Sequence, residues 1–188
     1  MSRGTPMTAI AVTIAGSDSG GGAGIQADLK TFSALGVYGA SVITALTAQN
    51  THGVFAIHDV PAGFVTAQID AVFSDLDVGA VKIGMLSRPA TIEVVAAGLG
   101  RWTQTDVVLD PVMVAGSGDR LLAPDAIHVL KQVLIPRALL IMPNLPEAAA
   151  LLEKLKSAGN TRNIYFKYIA EVYALLGDEA ATRSVFAV

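Results

Sequence analysis

Five short apolar runs separated by stretches of helical spacing constrain the fold of this chain more than any other feature. The runs lie at 9–15, 40–48, 79–85, 106–114 and 138–142, and each is rich in Val, Ile, Leu or Ala without strict polar alternation. Strands buried on both faces have this pattern. Helical spacing occupies 24–35, 61–76, 89–102 and 124–135. The βαβα repetition predicts an α/β domain with a mostly parallel sheet, flanking helices and right-handed crossovers.

The pattern changes after about Leu152. Residues 153–188 contain three of the four tyrosines and no proline, and they lack strand-like runs. Helical spacing at Ile164, Tyr168, Val172 and Leu175 predicts a helical hairpin built from 145–156 and 163–176. The sequence therefore divides into a domain at 1–152 and a helical tail at 153–188, whose origin the residues do not identify.

Composition limits the classes of partner. The 188 residues are 52% hydrophobic and 15% charged, with a net charge of -3. This balance suits a buried core, and it offers no basic surface for nucleic acid or anionic lipid. No apolar run approaches membrane-spanning length, and the absence of Cys is consistent with a reducing cytoplasm. We expect small-molecule partners and a cytoplasmic location.

A glycine-rich turn, AGSDSGGGAG at 15–24, joins the first predicted strand to the first predicted helix. Its backbone can approach a ligand closely. The turn lacks the Gly-Lys-Ser/Thr ending of a P-loop and the Gly-x-Gly-x-x-Gly spacing of a dinucleotide site. A ligand site and a simple tight βα connection remain equal interpretations.

Asp28 lies within the apolar stripe that Ile25, Leu29, Phe32 and Leu35 form on the first predicted helix. Its carboxylate is therefore predicted to point inward. A buried carboxylate needs hydrogen-bond donors, which could come from the glycine-turn backbone or from a ligand. The alternative is an acid that only stabilises the N-terminus of the helix.

Two uncharged side chains lie at the ends of predicted strands, at the edge where open α/β sheets bind ligands. Gln49 offers an amide donor and acceptor side by side, which suits an aminopyrimidine, although a loop Gln is often only solvated. Met85 offers a flexible apolar contact to a ring, or ordinary core packing.

Polar residues lie within the fourth apolar run and directly after the fifth. Asp110 precedes a proline and can either hold Mg²⁺ or cap the strand end. Asn144 and Glu147 have the spacing of a capping box at a helix start, and also that of a Mg²⁺ and phosphate site. His52 and the other two histidines have no metal-site spacing.

Five ordered blocks closely resemble the hydroxymethylpyrimidine/phosphomethylpyrimidine kinase family, which has a ribokinase-like α/β fold. They are IAGSDSGGGAGIQADLK at 14–30, ITALTAQNT at 43–51, VKIGML at 81–86, LDPVMVAGSGD at 109–119 and PNLPEA at 143–148. The likeness covers about 11–152, and the first two blocks favour this family over the related pyridoxal kinases.

The resemblance implies phosphorylation of 4-amino-5-hydroxymethyl-2-methylpyrimidine and then of its monophosphate in thiamine biosynthesis, with ATP as co-substrate and Mg²⁺ as cofactor. It implies a pyrimidine pocket lined by Gly16, Ala23, Asp28, Gln49, Met85 and Val112. It also implies that Asn144, Glu147 and Lys82 face the ATP phosphates, and that Asp110 and Glu147 hold the metal.

The sequence departs from this family in one respect. Family members continue to a Gly-Thr/Ser-Gly-Cys-Thr loop whose backbone N–H groups form an anion hole, and no such loop occurs in these residues. No catalytic residue is therefore assigned, and phosphoryl transfer is expected to be slower by orders of magnitude. A pyrimidine-binding fragment without turnover and a scaffold for the helical tail are the alternatives. The resemblance also suggests a homodimer.

Overall fold

The computed structural model describes residues 8–113, 122, 124–144 and 147. Within them the strands are β1 (Ile10–Ala15), β2 (Tyr38–Ile43), β3 (Ala45–Asn50), β4 (Gly53–Asp59), β5 (Ala80–Ile83), β6 (Val107–Leu109) and β7 (Leu140–Ile141). The α-helices are α1 (Gly24–Ala34), α2 (Ala62–Phe73), α3 (Pro89–Arg101) and α4 (Pro124–Val133). A 3₁₀ turn at Ile135–Arg137 follows α4.

A parallel five-stranded sheet forms the centre of the domain. Its strand order is β2-β1-β5-β6-β7, and every neighbouring pair is parallel. After β1 the chain passes through α1 to β2, toward one edge of the sheet. After β5 it passes through α3 to β6, toward the opposite edge. The connections therefore diverge between β1 and β5, which creates a crevice at the carboxyl ends of these two strands.

A separate antiparallel hairpin, β3–β4, stands beside this crevice. The sequence analysis treated 40–48 as one strand and did not predict β4. The structure instead divides that run at Thr44, because β2 pairs with β1 while β3 turns away and pairs with β4. The Thr44 hydroxyl is buried and donates to the Met85 carbonyl at 2.7 Å, which fixes the break in place.

The main core lies between the sheet and a layer formed by α2, α3 and α4. Alternate strand residues such as Val12, Val81 and Leu109 face this layer and are fully or almost fully buried. Ile69 of α2 and Ile92 of α3 pack against them. Burial of each such side chain contributes roughly 1.5–3 kcal/mol, so this layer supplies a rigid base for the crevice.

The opposite residues of the same strands face α1. Thr13 of β1 and Lys82 of β5 are directly paired in the sheet register, and both alternate with residues of the main core. Right-handed crossovers also put α1 and α3 on opposite faces of the sheet. Polar side chains are thus brought together beneath α1, next to the crevice.

The predicted α/β class and parallel sheet are confirmed, with helix boundaries within three residues of the expected ones. The helical hairpin and the tail at 153–188 lie outside the described residues. In the described part of the chain, no helix combines the length and apolar character needed to cross a bilayer.

Candidate functional site

A cavity of about 160 Å³ occupies the crevice between the carboxyl ends of β1 and β5. It is open to solvent on one side and has a mostly apolar wall with a few polar groups. Small-molecule sites commonly have this character. The residues that line it are Ala15, Gly16, Ser17, Asp18, Ala23, Gly24, Thr47, Gln49, Lys82, Gly84, Met85, Asp110 and Val112.

Asp18 organises the glycine-rich turn at the mouth of the cavity. Its carboxylate accepts hydrogen bonds from the backbone N–H groups of Gly20 at 2.7 Å, Gly22 at 2.9 Å and Ala23 at 2.8 Å. Burial alone would raise the pKa of Asp18, but the amide hydrogen bonds outweigh it and hold the pKa below its ordinary value. The donors of the glycine turn therefore serve Asp18, and not Asp28 as one interpretation of the sequence suggested.

Two glycines allow the backbone to pack closely around the cavity. Gly24 has a φ of +56°, and a Cβ on it would lie 2.3 Å from the Gly16 carbonyl oxygen. Only glycine fits there, because backbone atoms cannot move aside. A Cβ on Gly16 would meet the end of the Met85 side chain at 2.6 Å, so Gly16 and Met85 together set the width of the cavity.

Hydrogen bonds from both backbone and side-chain groups join the glycine-rich turn to strand β3. Ser17 N–H donates to the Ala45 carbonyl at 2.8 Å, and Thr47 Oγ1 donates to the Ser17 carbonyl at 2.8 Å. Ser19 Oγ donates to the Gln49 carbonyl at 2.6 Å and accepts from the Gln49 N–H at 2.7 Å. These contacts hold the hairpin against the turn and fix the backbone of Gln49 at the cavity wall.

Lys82 connects two carboxylates at the floor of the cavity. Its Nζ donates to Asp28 Oδ2 at 3.1 Å and lies 3.7 Å from Asp110 Oδ2. Thr13 Oγ1 also donates to Asp28 Oδ2, at 2.6 Å. Asp28 does point inward, with 15% of its side chain exposed, but it lies behind Lys82 and is not among the lining residues. Its donors come from strands β1 and β5.

Asp110 and Val112 form an unusual bend after β6. Burial raises the pKa of Asp110, and although Lys82 counteracts this, the Glu147 and Asp28 charges add to it. Val112 has a φ of +40°, a left-handed conformation that β-branched residues rarely adopt. Strained backbone of this kind tends to occur at functional sites. Both residues line the cavity.

Asn144 and Glu147 form a reciprocal cap. Glu147 N–H donates to Asn144 Oδ1 at 3.0 Å, and Asn144 N–H donates to Glu147 Oε2 at 3.0 Å. The other oxygen, Glu147 Oε1, accepts from the Met113 N–H at 2.6 Å. Glu147 is 2% exposed, and both its oxygens already accept backbone hydrogens. The geometry supports the capping interpretation that the sequence left open.

Most of the predicted pocket residues line one cavity. Gly16, Ala23, Gln49, Met85 and Val112 do so, together with Lys82 and Asp110, whereas Asp28, Asn144 and Glu147 do not. Among the described residues, no three His, Cys, Asp or Glu side chains cluster as a metal site.

The sequence analysis missed Asp18 and Thr47. An Asp two residues before a glycine is a turn signal that could have identified Asp18. Thr47 had no comparable signal, because its partner Ser17 is thirty residues away.

Comparison with known proteins identifies relatives of this chain. Residues 18–177 match the family described as phosphomethylpyrimidine kinase. A hydroxymethylpyrimidine/phosphomethylpyrimidine kinase of Rhizobium meliloti is 70% identical over 145 residues, which are 77% of this chain and 54% of the relative. The chain thus spans about half the length of that relative. The family match continues past residue 152, where the sequence division was placed.

Solved structures agree with this assignment. The crystal structure of phosphomethylpyrimidine kinase from Clostridium difficile is similar with a TM-score of 0.73 and 53% identity, over 78% of this chain and 63% of the other. A Staphylococcus aureus pyridoxal kinase, solved in complex with AMP-PCP and pyridoxal, is similar with a TM-score of 0.67 and 31% identity, over 80% and 56%. The ribokinase-like fold expected from the sequence is confirmed.

Proposed function

The chain belongs to the phosphomethylpyrimidine kinase family, and from that premise we propose that its cavity binds 4-amino-5-hydroxymethyl-2-methylpyrimidine. The complete reaction transfers a phosphoryl group from ATP to this alcohol and then to its monophosphate, in thiamine biosynthesis. The single observation that carries the proposal is the shared cavity of Gln49 and Lys82 at the switch point of the sheet. An amide there can recognise the polar edge of an aminopyrimidine, and a cation can face a phosphate.

The apolar part of the cavity suits the ring itself. Gly16 and Ala23 leave room for a flat heterocycle, while Met85 and Val112 offer apolar contact. Asp28 acts through Lys82, whose ammonium group it holds at the cavity floor. We therefore expect Asp28→Ala to weaken binding even though its carboxylate lies behind the lining.

The phosphate side of the site depends on charge. Mg²⁺ keeps several waters and usually takes one or two carboxylates together with nucleotide phosphates. Asp110 suits that role because its carboxylate lines the cavity. Glu147 is proposed as the second carboxylate, because each of its oxygens accepts one backbone hydrogen and keeps a further lone pair. The metal would supply charge neutralisation to the transferring phosphoryl group. Lys82 contributes a fixed positive charge, and the side-chain amide N–H₂ of Asn144 is proposed to face the phosphates.

Calorimetric titration with the pyrimidine alcohol, together with an ATP-consumption assay, tests this function. We expect binding to the wild-type chain and a loss of roughly tenfold or more in affinity for Gln49→Ala, because a buried polar edge of the ligand then lacks its partner. Gln132→Ala is the matched control, since Gln132 is exposed on α4. No binding by the wild-type chain would refute the proposal.

The ATP-consumption arm separates the kinase from its alternatives. Turnover at ordinary kinase rates would refute the expectation that this chain transfers phosphate slowly. Binding without turnover would favour a pyrimidine-binding fragment. If the domain serves only as a scaffold for the tail, we expect neither pyrimidine binding nor ATP turnover.

A further inference from the structure

Thr47 and Gln49 lie two residues apart on strand β3 and both line the cavity. Side chains at this spacing share one face of a strand. Thr47 Oγ1 has two close oxygen neighbours, the Ser17 carbonyl at 2.8 Å and Gln49 Oε1 at 3.3 Å. The orientation of the Gln49 amide depends on how this hydroxyl uses its single hydrogen.

The hydrogen goes to Ser17. A threonine hydroxyl has one donor and two lone pairs, and a carbonyl oxygen can only accept. The Ser17 carbonyl is the nearer acceptor by half an ångström, so it takes the hydrogen and Thr47 presents a lone pair to Gln49. Two acceptors facing each other repel. A half-turn of the amide, which exchanges two groups of equal size, lets Gln49 Nε2 donate to Thr47 Oγ1.

The backbone of Gln49 is held in place. Ser19 Oγ donates to its carbonyl and accepts from its N–H, at 2.6 and 2.7 Å. Thr47 is equally fixed, because its N–H donates to Ser17 Oγ at 3.3 Å while its hydroxyl donates to the Ser17 carbonyl. With both backbones held, the Thr47 hydroxyl is the side-chain partner that sets the orientation of the Gln49 amide.

We propose that Thr47 is a positioning residue that directs the Gln49 side-chain oxygen into the cavity, so that the site selects heterocycles presenting an N–H donor over those presenting a carbonyl. The identity of the ligand in this inference rests on the proposed function. An exocyclic amine meets an acceptor, whereas a ring carbonyl at the same position meets a second oxygen and leaves both groups unpaired.

Calorimetry with two probes tests the inference. The probes are 4-amino-5-hydroxymethyl-2-methylpyrimidine and its 4-oxo counterpart. We expect the wild-type chain to prefer the amine by about tenfold or more, and Thr47→Val to reduce this preference to about threefold or less, because the amide can then turn either way. Thr47→Ser restores the hydroxyl and the preference. Thr66→Val, which removes a hydroxyl bonded to the Ala62 carbonyl in α2, is the matched control and retains it.

A second variant covers the case in which Thr47→Val does not fold. Gln49→Glu presents an acceptor in either orientation and should prefer the amine. The wild-type chain shares this preference if its amide oxygen faces the cavity, and shows the opposite preference if its amide nitrogen does. Retention of the wild-type preference by folded Thr47→Val, or opposite probe preferences in the wild-type chain and Gln49→Glu, would overturn the inference alone. Failure of the wild-type chain to bind the amine would instead refute the proposed function.

Discussion

Asp18 shows how a single carboxylate shapes the mouth of the site. Three backbone amides of the glycine-rich turn donate to it, and the turn continues directly into α1. Gln26 Oε1 accepts from the Asp18 N–H at 2.7 Å and ties the same residue to the helix. Glycines cannot hold one conformation by themselves, because their backbone is too free. The order of this turn therefore comes from Asp18.

We predict that Asp18→Asn lowers the free energy of unfolding by roughly 2 kcal/mol, because an amide replaces a charged acceptor and turns one of its ends into a donor. Asp75→Asn, at an exposed position after α2, should change it by less than about 0.5 kcal/mol. Urea unfolding of the two variants and the wild type measures both values.

The pH dependence gives the same prediction a second check. Because the folded-state pKa of Asp18 lies below its ordinary value, its stabilisation is fully present above the unfolded pKa and is lost as the pH falls through the folded one. The difference between wild type and Asp18→Asn should thus shrink below about pH 4. A difference that stays constant down to about pH 2 would contradict the assignment.

The residue pattern predicted which way a side chain points better than it predicted which residues that side chain contacts. The apolar stripe of α1 correctly placed Asp28 inward, since a helix face follows from spacing alone. Its actual donors, Thr13 and Lys82, come from two strands that are paired in the sheet. That pairing depends on the strand order, which no local pattern records. The contact between Thr47 and Ser17, thirty residues apart, likewise could not be predicted from a local pattern.

At the scale of elements, the β3–β4 hairpin carries Gln49, which lines the cavity, and it was the element that sequence analysis missed. Its first strand continues the apolar run of β2 without a break in composition, so hydrophobicity gave no boundary. The division arises from tertiary contacts at Thr44, including its N–H donated to the Ala15 carbonyl at 3.0 Å. Strands of the main sheet were predicted well because burial on both faces makes them largely apolar.

The base of the hairpin is anchored by Asp59. Its carboxylate accepts from Ser87 Oγ and Arg88 Nε in the connection between β5 and α3. Burial would raise the pKa of Asp59, but these hydrogen bonds and the Arg88 charge hold it below its ordinary value. We predict that Asp59→Ala weakens pyrimidine binding roughly tenfold, because the strand that presents Gln49 is less firmly held.

Asp70→Ala is the matched control for this anchor. Asp70 accepts from Arg101 Nη2 at 2.6 Å and Trp102 Nε1 at 3.0 Å, which joins α2 to the end of α3. Asp70 is absent from the cavity lining, so its loss should leave the affinity unchanged. Calorimetry on both variants separates the effects, and equal affinities for Asp59→Ala and wild type would show that the anchor does not position the hairpin.

For the whole molecule, the order of the elements was the most predictable property. Alternation of strands and helices restricts the chain to right-handed crossovers, and the ligand crevice then lies where the connections diverge. The cavity does lie at that point, between β1 and β5. Its floor was less predictable, because the contact between Lys82 and Asp28 spans 54 residues.

The exposed apolar surface of the hairpin leads to a prediction about assembly. Phe55 is 69% exposed, and Leu46 and Ile57 of the same hairpin are also exposed. Large apolar side chains exposed at a surface can mark protein interfaces, and a stable dimer buries about 800 Å² on each partner. We therefore expect the chain to dimerise through the hairpin, and Phe55→Ser to weaken the dimer roughly thirtyfold, as loss of a central aromatic contact does.

Sedimentation at increasing protein concentration measures this equilibrium. Leu35→Ser is the matched control, because Leu35 is 73% exposed at the end of α1 and does not belong to the hairpin. It should leave the dissociation constant of the dimer unchanged. A wild-type chain that stays monomeric at all concentrations, or a Phe55→Ser chain that dimerises as tightly as wild type, would exclude the hairpin as the interface. Since Gln49 lies in the same hairpin, pairing there would also restrict its motion and should raise pyrimidine affinity in the dimer.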